Sequence, residues 1–135
     1  MTVFRIFALT LAAPLLVGAN PKRRTETGRW PNGVVSYERH FVGDREDGTS
    51  IGRWEDGSIR FVFHYERGLM EGTAREWYRG GALYRETNYR AGREEGLQRM
   101  WWPDGTLRAN YVVRDGRRFG LLGAKGCVAS DSSSP

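Results

Sequence analysis

Residues 78–96 read YRGGALYRETNYRAGREEG, and this stretch decides the fold. Tyr78 meets a glycine-bearing turn, Arg79-Gly80-Gly81. Strand-like sequence runs on to Tyr89, a second turn carries Gly92, and the unit closes at Gly96. The same frame recurs in both directions at a fixed step of 24 residues. The anchor aromatics are Trp30, Trp54, Tyr78 and Trp102, and the first-turn glycines are Gly33, Gly57, Gly81 and Gly105. The strand-end positions hold Phe41, Tyr65, Tyr89 and Val113, and the second turn holds Asp44, Gly68, Gly92 and Gly116. Gly48, Gly72, Gly96 and Gly120 close the copies. Five columns in register over four copies, without an insertion, mark a repeat architecture.

The repeat is all-β. In each copy, positions two, four, six and eight after the first-turn glycine lie on one strand face, as in Ile59, Phe61, Phe63 and Tyr65. Period two with one apolar face predicts a half-buried strand. The pattern is clean in the second copy and degraded in the third, which has Leu83, Arg85, Thr87 and Tyr89. A shorter strand precedes each anchor, over residues 25–30, 49–54, 73–78 and 97–102, and a fifth over residues 121–126 closes the array. Asn-Gly, Asp-Gly and Gly-Gly at the first turns supply the positive φ of tight hairpins. In the second turn of the first copy that role is expected of Asp44, since Asp tolerates a left-handed conformation. The simplest topology is an open antiparallel β-meander of about four 24-residue, two-stranded repeats, each touching only its neighbours.

The frame resembles the variant MORN repeat, most clearly in WEDGSIRFVFHYERGLMEG (54–72) and in YRGGALYRETNYRAGREEG (78–96). Many bacterial proteins with this repeat are labelled YwqK-family antitoxin-like. The resemblance covers residues 30–120 and implies an open β-meander with a binding or scaffolding role. The departures, Asp44 for glycine and Val113 for the strand-end aromatic, fall in the end copies, as capping repeats lead one to expect.

The flanks speak to compartment. Residues 1–19 carry Arg5, an uncharged apolar run and the small residues Val17-Gly18-Ala19, the pattern of a secretory signal cleaved after Ala19. The apolar run is shorter than the roughly 20 residues a spanning helix needs. The expected location is therefore outside the cytoplasm, periplasmic or extracellular. Residues 20–24 read as a basic linker, residues 25–126 as the repeat domain and residues 127–135 as a disordered tail. Lys22, Arg23 and Arg24 offer only a weak hold on a membrane surface. Of 135 residues about 116 remain after cleavage, enough for one domain with a thin core.

The full-length charge is +5, from 21 basic and 16 acidic side chains. Arginines alternate with acids along the strands, as in Arg75-Glu76 and Arg85-Glu86, so no single-sign patch argues for nucleic acid. His40 and His64 occupy one column, two strands apart, too far to share a metal without a further ligand. Cys127 is the single cysteine, either free or paired with another chain. Glu38 and Glu86 share a column two repeats apart, beyond the reach of a carboxylate pair. No nucleophile, cofactor motif or metal cluster stands out, and a small-molecule substrate is not indicated. The reading is a non-catalytic module that binds another protein or an envelope component. Antitoxin-like neutralisation of a toxin partner is the alternative, with an envelope enzyme behind it. Trp77, Trp101 and Tyr84, aromatics outside the core columns, are the expected contact surface.

Overall fold

A computed structural model describes residues 20–121. Eleven strands occur in chain order: β1 (Arg23–Arg29), β2 (Val35–Val42), β3 (Arg45–Glu46), β4 (Gly48–Arg53), β5 (Ile59–Glu66), β6 (Leu69–Met70), β7 (Gly72–Trp77), β8 (Leu83–Arg90), β9 (Arg93–Trp101), β10 (Leu107–Arg114) and β11 (Arg117–Leu121). They form one open antiparallel sheet in the order β1-β2-β4-β5-β7-β8-β9-β10-β11. The two-residue strands β3 and β6 pair with β2 and β5. There is no helix among the described residues. Two boundaries differ from the sequence reading. Arg23 and Arg24, expected in a linker, pair with Val42 and Phe41. A strand runs over Arg117–Leu121, ahead of the expected 121–126, because the turn at Asp115-Gly116 sends the chain straight back along β10; residues 122–126 lie outside the described residues. The expected signal segment (residues 1–19), Cys127 and the expected tail (residues 127–135) lie outside the described residues.

The two kinds of turn differ in construction. At each first turn the anchor aromatic closes a loop in both directions: Trp54 N donates to Ser58 O at 2.9 Å, and Gly57 N donates to Trp54 O at 2.9 Å. Gly33, Gly57, Gly81 and Gly105 carry φ of 84°, 85°, 83° and 82°. This is a three-residue hairpin ending in a left-handed residue. Asn32, Asp56 and Asp104 each accept a bond from the backbone N–H two residues on. Gly80 takes that place in the third copy and has no side chain to do so.

The second turns are two-residue loops. Arg67-Gly68, Ala91-Gly92 and Asp115-Gly116 have positive φ at both positions, as a type I′ turn requires. In the first copy Gly43, with φ 62°, is left-handed and Asp44 is not. That corrects the expectation for Asp44. A glycine one position earlier takes the first central place, as in a type II′ turn, and frees Asp44 from strain.

Each of the first three copies then carries a bulge. Between the pairs Phe41↔Glu46 and Glu38↔Ile51, the returning chain holds two residues more than β2. The same excess recurs between Tyr65↔Met70 and Val62↔Arg75, and between Tyr89↔Glu94 and Thr87↔Gln98. A bulge leaves ladder groups unpaired, and in the third copy Gln98 repairs this. Its amide accepts from Asn88 N at 3.1 Å and donates to Asn88 O at 3.0 Å, with 2% of the residue exposed. Neighbouring tips are stitched together. Gly68 N donates to Glu46 O at 2.7 Å and Arg67 N to Asp47 Oδ2 at 3.0 Å. Gly92 N donates to Met70 O at 2.9 Å and Ala91 N to Glu71 Oε2 at 2.7 Å.

The register keeps the alternate positions of the long strands on one face, here the front. One front row runs Gly28, Tyr37, Gly52, Phe61, Glu76, Arg85, Met100, Ala109. A Cβ on Gly52 would lie 2.1 Å from Phe61 Cε1, and one on Gly28 equally close to Tyr37 Cε1. The rings of the first two copies lie across a bare backbone. In the third copy Glu76 fills the glycine place, Arg85 fills the ring place, and their ends meet in an ion pair. The degraded alternation at Arg85 is thus half of a two-residue exchange. Both sheet faces meet solvent, so the core is thin: Ala74, Ala109 and Val113 are the buried apolar side chains among the described residues.

Candidate binding surface

Three of the four anchors pack against the residue six positions after them. Arg60 lies 4.8 Å from the Trp54 ring centroid, Tyr84 packs edge-on to Tyr78 at 5.0 Å, and Arg108 lies 4.4 Å from the Trp102 ring. The cause is geometric. The anchor opens the turn, and the residue six places later sits at the start of the returning strand on the same side. Arginine over an indole gains a cation–π attraction of about 0.5–1 kcal/mol at exposed sites.

In the middle of the array these pairs enclose a groove of about 420 Å³, lined by Trp54, Arg60, Glu76, Trp77, Tyr78, Arg79 and Tyr84. Arg79 reaches from the next turn to within 5.7 Å of the Trp54 ring and 3.5 Å of Glu55. Of the expected contact residues, Trp77 and Tyr84 come together in this groove. Trp101 is not part of its lining. Its ring carries Arg99 at 5.4 Å, and its carbonyl accepts from the Tyr78 hydroxyl at 3.0 Å. Trp54, Tyr78, Arg60 and Arg79 join the surface although the sequence reading used the first two only as repeat markers. The signal for Arg60 was the six-residue offset to an arginine or tyrosine that three of the four anchors keep, while Arg79 follows its anchor directly in the turn. The anchors' polar ends are matched unequally. Trp30 Nε1 donates to Arg53 O at 3.1 Å, while Trp54 Nε1 is buried without a partner among the described residues.

Beyond the groove the back face is polar and carries a row of ion pairs, with Arg99 Nε buried without a hydrogen-bond partner among the described residues. Arg75, Glu86 and Arg99 stand side by side on β7, β8 and β9. Glu86 accepts from Arg75 Nε at 2.9 Å and from Arg99. Burial pushes the Glu86 carboxyl up, but the bonds from Arg99 and Arg75 outweigh it and hold the group below the usual carboxylate range. His40 and His64 each bond a threonine hydroxyl across the strand pair, Thr25 at 3.0 Å and Thr49 at 3.1 Å. Asn88 takes the same part opposite Thr73 at 2.7 Å. Glu38 reaches His40 Nε2 at 3.1 Å, so neither Glu38 nor Glu86 is left to act with the other. Among the described residues no group of three His, Cys, Asp or Glu side chains is placed to hold a metal.

The groove spans the second and third copies, and the family match falls across it. Residues 70–91 match the MORN repeat variant. The match supports a MORN-repeat protein. The matched segment runs from Met70 in β6, through β7 and its turn, to the tip after β8. It contains Glu76, Trp77, Tyr78, Arg79 and Tyr84 of the groove. No curated protein and no solved structure matches the chain.

Proposed function

We propose that the protein is a non-catalytic module of the exported compartment, and that it holds another protein or an envelope component against the aromatic groove spanning its second and third MORN copies. MORN repeats are generally associated with protein or membrane binding, and such repeats are generally non-enzymatic. The observation that carries the reading is the gathering of Trp54, Trp77, Tyr78 and Tyr84 with Arg60 and Arg79 around one hollow. Aromatic residues and arginine are the types enriched where binding energy concentrates. The rings are not part of the sheet's core, since the buried apolar side chains among the described residues are Ala74, Ala109 and Val113.

Affinity capture from an envelope extract tests this. One stoichiometric partner should be retained by the native protein and lost with Trp77→Ala/Tyr84→Ala, while circular dichroism shows the sheet intact. Retention of the same partner by that variant would refute the groove, and turnover of a small substrate would refute the non-catalytic reading. Export rests on the N-terminal apolar stretch. Intact mass of the protein from its native host should show loss of residues 1–19, and a mass that keeps them counts against export.

A further inference from the structure

The C-terminal end of the sheet carries charge that folding does not explain. Arg114 and Arg117 flank the last tip among the described residues and stand directly opposite each other. Arg90 and Arg93 do the same at the tip before it. Like charges directly opposite in an antiparallel pair are destabilising. No carboxylate lies within ion-pair distance of these four arginines among the described residues, whereas Arg118 one residue on is matched by Glu94 at 3.3 Å. Beside Arg114 and Arg117, Phe119 is 54% exposed, and the three surround a hollow of about 470 Å³ together with Asp115.

β11 is also the last strand of the sheet among the described residues. A two-residue hairpin makes Arg114 and Arg117 a hydrogen-bonded pair, so the backbone groups of Arg118 point away from β10. An outward-facing edge is a template for a further strand. A second copy is a poor occupant. The opposite end of the sheet, β1, carries Arg23, Arg24 and Arg29, so stacking copies end to end or edge to edge sets arginine against arginine.

We propose that the β11 edge receives an antiparallel strand from a partner protein, an acidic extended segment in which an apolar residue faces Phe119 and a carboxylate two positions later faces Arg117 and Arg114. Arg117 and Phe119 alternate onto one face, which sets the two-residue spacing, and the antiparallel sense reverses their order on the incoming strand. This surface is separate from the aromatic groove and stands or falls independently of it.

Fluorescence anisotropy on the full-length protein tests it, with the labelled synthetic peptide Thr-Val-Thr-Glu-Thr-Val as probe. Three results are expected. Binding weakens by about tenfold or more with Arg117→Glu. It is lost when alternate peptide amides are N-methylated. It is unaffected by Trp77→Ala, which touches only the groove. Because Arg117→Glu turns a like-charge pair into an opposite one, its melting temperature should rise while binding falls; a merely structural arginine would lower both. If Arg117→Glu does not fold, Arg117→Gln carries the same test of binding. The proposal is overturned if the native protein ignores the peptide, or if the arginine variants bind it equally. Indifference to N-methylation, or preference for phosphatidylglycerol vesicles over the peptide, overturns it too.

Discussion

Gly52 and Gly81 sit in the same repeat frame and resist substitution for unlike reasons. Gly81 has φ 83° with nothing within 4 Å of a Cβ, so Gly81→Ala meets only the left-handed penalty, about 1–2 kcal/mol. Gly52 has ordinary φ, but its Cβ would enter the Phe61 ring, so Gly52→Ala is an overpacking change costing about 1–3 kcal/mol. Urea unfolding of the variants on a Phe61→Ala background separates them. Removing the ring should relieve Gly52→Ala and leave Gly81→Ala unchanged. Glu86 makes a second case. Its folded carboxyl is held low, so its contribution is fully present above the unfolded value of about 4.3 and is lost as pH falls through the folded one. Asp56 and Asp104 are lowered as well, chiefly by the side-chain bonds from Ser58 and Thr106, and act with the same sign. Melting temperature should therefore fall below about pH 4. Glu86→Gln should lose about 1–3 kcal/mol at neutral pH and show a shallower acid dependence. An acid profile identical to that of the native protein would show that the Arg75–Glu86–Arg99 row does not titrate.

The pairing of β4 with β5 and of β7 with β8 shows what a strand inherits from its repeat and what it can exchange. Gly52 beneath Phe61 and Glu76 beside Arg85 are two solutions to one site. Glu76→Gly/Arg85→Phe should therefore convert the third copy to the pattern of the second and keep its stability. Either change alone should destabilise, with a coupling in the double-mutant cycle of about 0.5–3 kcal/mol. Additive effects would mean that the two sites do not meet. This pairing also explains how far the sequence could be read. The 24-residue period gave the meander, the turn positions and the long strands directly, since glycine and aromatic columns encode them locally. It did not give the left-handed Gly43, because the repeat column pointed at Asp44 and the turn type depends on its neighbour. Nor did it reveal the bulges, whose extra residues show only when both strands are aligned. Arg85 looked like a defect because its partner is set by register, not by sequence distance. The groove was half legible. Trp77 and Tyr84 stood out as aromatics off the core face, while Trp54 and Tyr78 already had a structural explanation.

In this sheet each strand's backbone ladder runs only to its neighbours, and the longer reaches, such as Arg118 to Glu94, stay within adjoining copies, so stability is not pooled across the molecule. Hydrogen exchange read by mass spectrometry should show least protection at β1 and β11 and most between β4 and β9. Equal protection from end to end would indicate a global closure that the topology does not supply. The thinness of the core has a thermal counterpart. Burying apolar surface is what gives unfolding its large heat-capacity increment, about 12–15 cal/mol/K per residue in ordinary domains. Here the side chains buried among the described residues include only Ala74, Ala109 and Val113 of apolar type, beside Ser50, Glu86, Thr87 and Gln98. Calorimetry should return an increment below that range and a broad, shallow curve of stability against temperature, with cold unfolding pushed far below freezing. An increment within the ordinary range would mean that in solution a second apolar layer, from a partner or another copy, covers one face of the sheet.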